Sequence, residues 1–234
     1  MSLNRFLRHQ LSRLTFSIGA RFYAYMTWQD VWKDHCKSLC EPFPPPKTSG
    51  PLAVLDLGIG PGVSGIAIRE CRPDVWLVGL DFSAEMLRLA RRYLRLSKQS
   101  FPLLRADAMN LPFADASFDV LTHHSFLYLL ADRDAGLKEM FRVLRPGGSY
   151  VILEPNRRGN ICVVPSLSGP FRFRLSMFLW RIFSRGFGQF DRDELSGLLQ
   201  KHGFVCERID ETLGGLGFVV VAHKPQTAHG AWSA

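Results

Sequence analysis

From residue 52 onward, short apolar runs alternate with longer segments in which apolar residues recur at helical spacing. The runs at 53–57, 75–81, 101–104, 118–121, 149–153, 204–209 and 217–222 predict strands. Val63, Ile66, Ala67 and Ile68 open one helix, and the stretches 84–94, 137–144 and 192–202 predict three more. Repeated alternation of this kind predicts an α/β fold: a doubly wound, Rossmann-like, mostly parallel sheet with helices on both faces, closed by an antiparallel C-terminal strand pair. Residues 1 to about 40 read as an N-terminal helical cap, with Leu3, Phe6, Leu7, Leu11, Leu14 and Phe16 at helix-like spacing. The proline cluster of 41–50 cannot sustain helix or central strand and predicts a linker. The expected organisation is a cap and linker over 1–50, a core domain over 51–225 and a loose tail over 226–234.

Residues 155–190 break the alternation. They are dense in Phe, Leu, Met and Trp, and a helix over 171–185 would carry Phe171, Leu175, Phe178, Leu179, Ile182 and Phe183 on one face. Arg174, Arg181 and Arg185 would fall on another face. This pattern predicts an insertion mounted as a lid on the core.

Chemistry concentrates where the first strand breaks into glycines, in Asp56-Leu-Gly-Ile-Gly-Pro-Gly62. Gly58, Gly60 and Gly62 let the backbone take φ > 0 and approach a ligand, and the helix behind them offers unpaired N–H groups. Gly60-Pro-Gly-Val-Ser-Gly65, with Asp81 downstream, matches the dinucleotide fingerprint, so an NAD-dependent oxidoreductase is one reading. Asp56 argues for another, because an acid before the first glycine repels a pyrophosphate and attracts a cationic amino-acid moiety.

Charge and cysteines narrow the partners. Lys+Arg 29 against Asp+Glu 21 gives a formal +8, which admits nucleic acid, an anionic membrane surface or an acidic substrate. No acid occurs before Asp30 or within 155–190. The basic N-terminal segment therefore reads as a membrane-lying helix, a transit peptide or a pocket cap. Cys36, Cys40, Cys71, Cys162 and Cys206 are odd in number and lack metal-ligand spacing, so neither a disulfide framework nor a metal site is expected. A cytoplasmic-type compartment follows, with membrane association as an open addition.

Val54-Leu-Asp-Leu-Gly-Ile-Gly-Pro-Gly62 resembles the first motif of class I S-adenosylmethionine-dependent methyltransferases, and the resemblance extends over residues 52–224. Val78-Gly-Leu-Asp-Phe-Ser-Ala-Glu-Met86 resembles the second motif, which implies that Asp81 takes the ribose hydroxyls and that Phe82 and Met86 line the adenine. Asp81 alone would equally suit a helix cap. Arg105-Ala-Asp-Ala-Met-Asn-Leu-Pro112 resembles the third, implying Asp107 at the adenine amino group and Ala108 behind the ring. Ser117-Phe-Asp-Val-Leu-Thr122 and Val143-Leu-Arg-Pro-Gly-Gly148 resemble the later elements of the same family. The group most resembled is that of quinone-biosynthesis C-methyltransferases and natural-product O-methyltransferases.

The resemblance implies S-adenosyl-L-methionine as cofactor, S-adenosyl-L-homocysteine as product, and transfer to a small, largely apolar acceptor at O or C. His123 and His124, after the fourth strand, are the candidates for general base, and one of them is alternatively a structural loop residue. Tyr128, Glu154, Phe178 and Tyr25 are candidate substrate contacts, with Tyr23 as the alternative to Tyr25 and an Arg partner as the alternative for Glu154. Nucleic acid is disfavoured, since His123-His-Ser-Phe126 stands where base N-methylases carry an Asn/Asp-Pro-Pro-aromatic motif. Phospholipid N-methylation is the nearest alternative activity, and a non-enzymatic nucleotide-binding protein is the alternative of another class.

Overall fold

The computed structural model describes residues 19–226. The amphipathic pattern at 3–16 and the tail at 227–234 lie outside the described residues. Seven strands form one sheet: β1 (Ala53–Leu57), β2 (Trp76–Asp81), β3 (Leu103–Arg105), β4 (Phe118–His124), β5 (Leu144–Pro155), β6 (Val205–Thr212) and β7 (Gly217–His223). Their spatial order is β3-β2-β1-β4-β5-β7-β6. The first five pair in parallel, and β7 runs antiparallel to both β5 and β6. Insertion of an antiparallel β7 between β5 and β6 departs from the all-parallel dinucleotide-binding order.

The strands read as they fold. β1 is buried at every position, as a central parallel strand covered on both faces must be. Alternate residues serve two apolar layers. Leu55, Leu80, Leu121 and Ile152 pack with Leu137, Met140, Leu195 and Leu199 on one face. Val54, Leu77, Val120 and Val151 pack with Val63, Ala67, Ile68 and Trp32 on the other. The helices are α1 (Ala20–Thr27), α2 (Asp30–Lys37), α3 (Val63–Cys71), α4 (Ala84–Leu96), α5 (Arg133–Val143), α6 (Phe171–Phe187) and α7 (Arg192–Lys201), of which α1 and α4 meet in a smaller apolar cluster of Ala20, Ala24, Met86 and Leu89. Their starts are chemically marked: the Ser83 and Asp132 side chains accept from Met86 and Ala135 N–H, and Asp191 with Glu194 closes a capping box.

Three expectations are corrected. β4 continues through His124, so both histidines are strand-end residues, because Thr122 and His123 still pair with β1 and β5. β5 begins at Leu144, with Arg145 to Gly148 looped out between the Phe118–Leu144 and Val120–Ser149 pairs. The third correction concerns α6. Its buried residues are Phe173, Ser176, Met177, Arg181 and Ser184, while Phe171, Phe178 and Ile182 are exposed. Apolar residues occupy both sides of this helix, and the core took the side opposite to the longest apolar stripe.

The linker is tied to the sheet through Asp119. Its carboxylate accepts from the Ala53 N–H at 2.9 Å, pairs with Lys47, and lies 2.7 Å from Arg145 Nη1. The two cations and the N–H outweigh burial and hold this carboxyl below the usual carboxylate range. Asp119→Ala should leave the far-UV spectrum unchanged and lower the unfolding free energy by roughly 2–3 kcal/mol in urea titrations, since a buried N–H and a cation lose their acceptor.

Candidate active site

At the carboxyl end of β1 the chain turns through Gly58 and Gly60 with φ of 62° and 54°. A Cβ on Gly58 would stand 2.2 Å from the Phe126 ring, whereas one on Gly60 would meet nothing nearer than Tyr23 at 3.8 Å. The backbone at Gly60 is therefore open to a ligand, and that at Gly58 is packed under an aromatic ring. Gly62 is the N-cap of α3.

Asp81 ends β2 and clamps this turn. Its Oδ2 accepts from the Gly60 N–H at 2.9 Å and its Oδ1 from the Ser83 N–H at 2.8 Å. Both oxygens keep lone pairs that can accept from a pair of hydroxyls. Burial pushes this carboxyl up to about 6 against the pull of those backbone donors. Asp56 lies deeper: Ser64 Oγ donates to its Oδ2 at 2.6 Å, while Oδ1 is buried with no hydrogen-bond partner among the described residues. Burial, with the Asp81 charge adding to it, lifts this carboxyl to about 7. An unpartnered buried carboxylate oxygen beside a glycine cradle fits the ammonium end of an amino-acid-like cofactor.

Two recesses open over the turn. The smaller, about 70 Å³, is lined by Gly58, Gly60, Asp81, Phe82, Met86, Asp107 and Ala108, among others. Asp107 is exposed, and its Oδ1 accepts from the Met109 N–H, which leaves its other oxygen open. The larger, about 410 Å³, lies between the turn, α1 and α6, and its walls include Met26, Trp32, Cys36, Tyr128, Leu179, Trp180 and Phe183. Tyr23, Gly58, Gly60, His124 and Ser125 line both. Of the cofactor residues marked in the sequence, Asp56 and Gly62 sit behind the recess walls rather than in them.

The two histidines diverge. His123 is fully buried, with Nε2 2.7 Å from the Tyr150 hydroxyl and Nδ1 3.2 Å from Glu154 Oε1, a separation lacking hydrogen-bond alignment. It lines neither recess. His124 lines both; it is half-buried, its ring stands edge-on to Trp32 at 5.2 Å, and its Nε2 has no hydrogen-bond partner among the described residues. Burial, aided by the nearby His35 and His123, pushes His124 down to about 3, so its imidazole is neutral at physiological pH.

The candidate substrate contacts are scattered. Tyr128 lines the large recess and is buried, which raises its hydroxyl well above the ordinary tyrosine range. Beside it, Trp180 Nε1 of α6 donates to Ser125 Oγ at 2.6 Å. Glu154 is fully buried, and its Oε1 accepts from the Phe126 and Leu127 N–H groups at 2.9 and 2.7 Å, so its partners are backbone amides rather than an arginine. Tyr25 and Phe178 are exposed and line neither recess; Arg172 stacks 4.7 Å over the Tyr25 ring. Tyr23, the alternative to Tyr25, is the one at the junction. Ser125 and Trp180 carried no signal in the sequence, since a hydroxyl at φ 58° and an indole on α6 become a pair only in three dimensions.

Comparison with known proteins places these features in a family. Residues 54–148 match the family model described as a methyltransferase domain. The chain is 43% identical over 104 residues to the demethylmenaquinone methyltransferase of Deinococcus radiodurans, covering 44% of this chain and 43% of that protein. It is 31% identical over 195 residues to the demethylmenaquinone methyltransferase of Lactococcus lactis, covering 75% and 76% of the two chains. The chain thus spans under half of the first relative's length and about three quarters of the second's. The solved structure of Haemonchus contortus phosphoethanolamine N-methyltransferase 2, in complex with phosphomonomethylethanolamine and S-adenosylhomocysteine, superposes with a TM-score of 0.67 at 17% identity, covering 92% of this chain and 59% of that one. At that identity the likeness extends to the fold alone.

The raised carboxyl of Asp56 sets a pH dependence for the ligand-free protein. A folded-state value near 7 against an ordinary 3.8 means that stability is fully present below about pH 4 and is lost as pH rises through 7. Asp56→Asn should be more stable than the parent at pH 8 by on the order of 2 kcal/mol and melt at a higher temperature there, with the difference closing toward pH 4.

Proposed function

The chain belongs to the class I S-adenosylmethionine-dependent methyltransferase family, and from that premise we propose that it methylates a small, largely apolar, quinone-like acceptor at carbon or oxygen. The observation that carries this reading is the meeting of the glycine-turn recess with the large apolar recess at Tyr23, Gly60, His124 and Ser125. When bound, S-adenosylmethionine supplies a methyl group already activated by its sulfonium charge.

In this reading Asp81 accepts the ribose hydroxyls while it holds the Gly60 amide in place, and Asp56, behind the recess wall, draws the ammonium group toward the turn by its charge rather than by contact. Phe82, Met86 and Ala108 sandwich an aromatic base, with Asp107 at its edge. The walls of the large recess are chiefly apolar and its volume suits a bicyclic aromatic compound better than a charged aminolipid headgroup. The relatives' quinone chemistry agrees with that lining. Ser125 and Tyr128 hold an acceptor oxygen. His124 is a weak base and a sound hydrogen-bond acceptor, uncharged beside a sulfonium, so it orients the acceptor hydroxyl and takes the proton that the methylated acceptor releases, from the oxonium when oxygen is methylated or from the ring carbon when carbon is. Most of the rate then comes from in-line alignment. Residues 155–190 and α1 act as the cover that excludes water. The free cysteines suit a cytoplasmic-type reducing compartment. An acceptor of this kind partitions into bilayers, so a membrane surface belongs to the same proposal.

S-adenosylhomocysteine release, followed over demethylated naphthoquinol, phenol and aminolipid pools, should appear with the quinol and not with the aminolipids; release with none of them overturns the reading. Asp81→Ala should weaken S-adenosylmethionine binding at least 100-fold by calorimetry, and unchanged affinity removes the cofactor assignment. His124→Ala should lower kcat roughly 10–100-fold with little change in KM. His123→Ala should instead lower Tm.

A further inference from the structure

We propose that the exposed face of α6, with the adjoining face of α1, docks on an anionic phospholipid bilayer around the mouth of the large recess; this rests on the lipophilic-acceptor reading. α6 carries two apolar faces and the core uses only one. On the other, Phe171, Phe178 and Ile182 are 71%, 43% and 50% exposed at spacings of seven and four residues, which puts them on one stripe. Phe22 of α1 is 58% exposed. Single exposed apolar residues are ordinary, but three on one stripe of a helix, beside Leu179 and Phe183 in the recess wall, mark an interaction surface.

The stripe coincides with the way into the recess. Phe22 and Ile182 are at once exposed and part of its wall, so the opening lies between the two helices, inside the apolar patch. A bilayer-dissolved acceptor would reach the junction with His124 without crossing water.

Charge complementarity selects the occupant. Residues 156–190 contain no acid, and none precedes Asp30. Some of the arginines are used internally: Arg157 and Arg158 pair with Asp191 and Glu194, and Arg181 donates to the Asn156 and Arg157 carbonyls. Arg185 is exposed at the end of the stripe, with Arg174 half-buried beside it and Arg172 reaching the Trp28 carbonyl at 2.9 Å. The acids next to α1 are themselves paired: Glu85 of α4 lies 3.8 Å from Arg21, and Asp30 lies 2.8 Å from Lys33. Aromatic residues flanked by arginine match the headgroup boundary of an anionic leaflet. A second copy would bring one acid-free arginine face against another, and residues 1–18 carry no acid to pair with it. Among the described residues no helix is long and apolar enough to cross a membrane, so the helix would lie in the interface plane.

The test is co-sedimentation of the full chain with vesicles of phosphatidylcholine alone and of phosphatidylcholine with phosphatidylglycerol. Binding should require the anionic lipid and fall with added salt. Arg185→Glu should weaken it roughly thirty-fold, and Phe171→Ser and Phe178→Ser about ten-fold each, with thermal melts unchanged because all three side chains are exposed. Failure to sediment with anionic vesicles overturns the proposal. So does binding by the three variants equal to the parent's, including the case in which only deletion of residues 1–18 removes it. A dimer in sedimentation equilibrium that Phe178→Ser dissociates also overturns it, by assigning the face to a second copy. Turnover of a water-soluble short-chain quinol separates the two readings: turnover without vesicle binding removes the docking surface and keeps the methyl transfer, while vesicle binding without turnover of any acceptor does the reverse.

Discussion

Two hydrogen bonds to one carboxylate hold the site together. Asp81 closes β2, yet it accepts from Gly60, a residue of the β1 turn, and from Ser83, the cap of α4. Without that clamp the glycine turn would be three residues free to take many conformations, since glycine loses more backbone entropy on ordering than any other residue. With it, the turn, the strand end and the helix start become one rigid rim. The same carboxylate keeps lone pairs for a ligand, so a single side chain both orders the turn and leaves an acceptor facing the recess.

Glu154 plays the matching part on the opposite side. Its Oε1 takes two consecutive N–H groups from the bend after β4, and that bend carries Ser125 and Tyr128 into the large recess. His123 fills the space between Glu154 and Tyr150, which makes it part of the support beneath the bend. Adjacent histidines on one strand must point to opposite faces. One is therefore consigned to the core and the other to the junction, and the neutral state of His124 follows from the burial that brings it there. The rims of the two recesses are thus each held by a buried acid near a strand end.

The insertion supplies what the sheet cannot. α6 ties itself to the core through the buried Arg181 and through Trp180 Nε1 on Ser125, so the insertion touches a residue that lines both recesses. Arg157, Arg158 and Arg181 there donate to acids and backbone carbonyls, so part of the positive charge of the insertion also serves to fix it to the core.

The α/β architecture, the glycine turn and the acids Asp56, Asp81 and Asp107 were legible in the chain itself, because each depends on short-range facts. Strand and helix periods are local, φ > 0 needs glycine within a few residues of a strand end, and the order of motifs survives in one dimension. What the chain could not disclose depended on which of several equivalent surfaces would be buried. α6 is apolar on both faces, so periodicity could not choose between them, and its true core side emerged only against β5, α1 and α2. His123 and His124 have the same chemistry and neighbouring numbers, and only the pleat of β4 separated support from site. Tyr23, Ser125 and Trp180 come together from distant parts of the chain, so no spacing rule joins them. Tertiary packing decided these cases because burial, and with it the proton affinity of Asp56 and His124, is a property of the surroundings a side chain folds into rather than of the side chain.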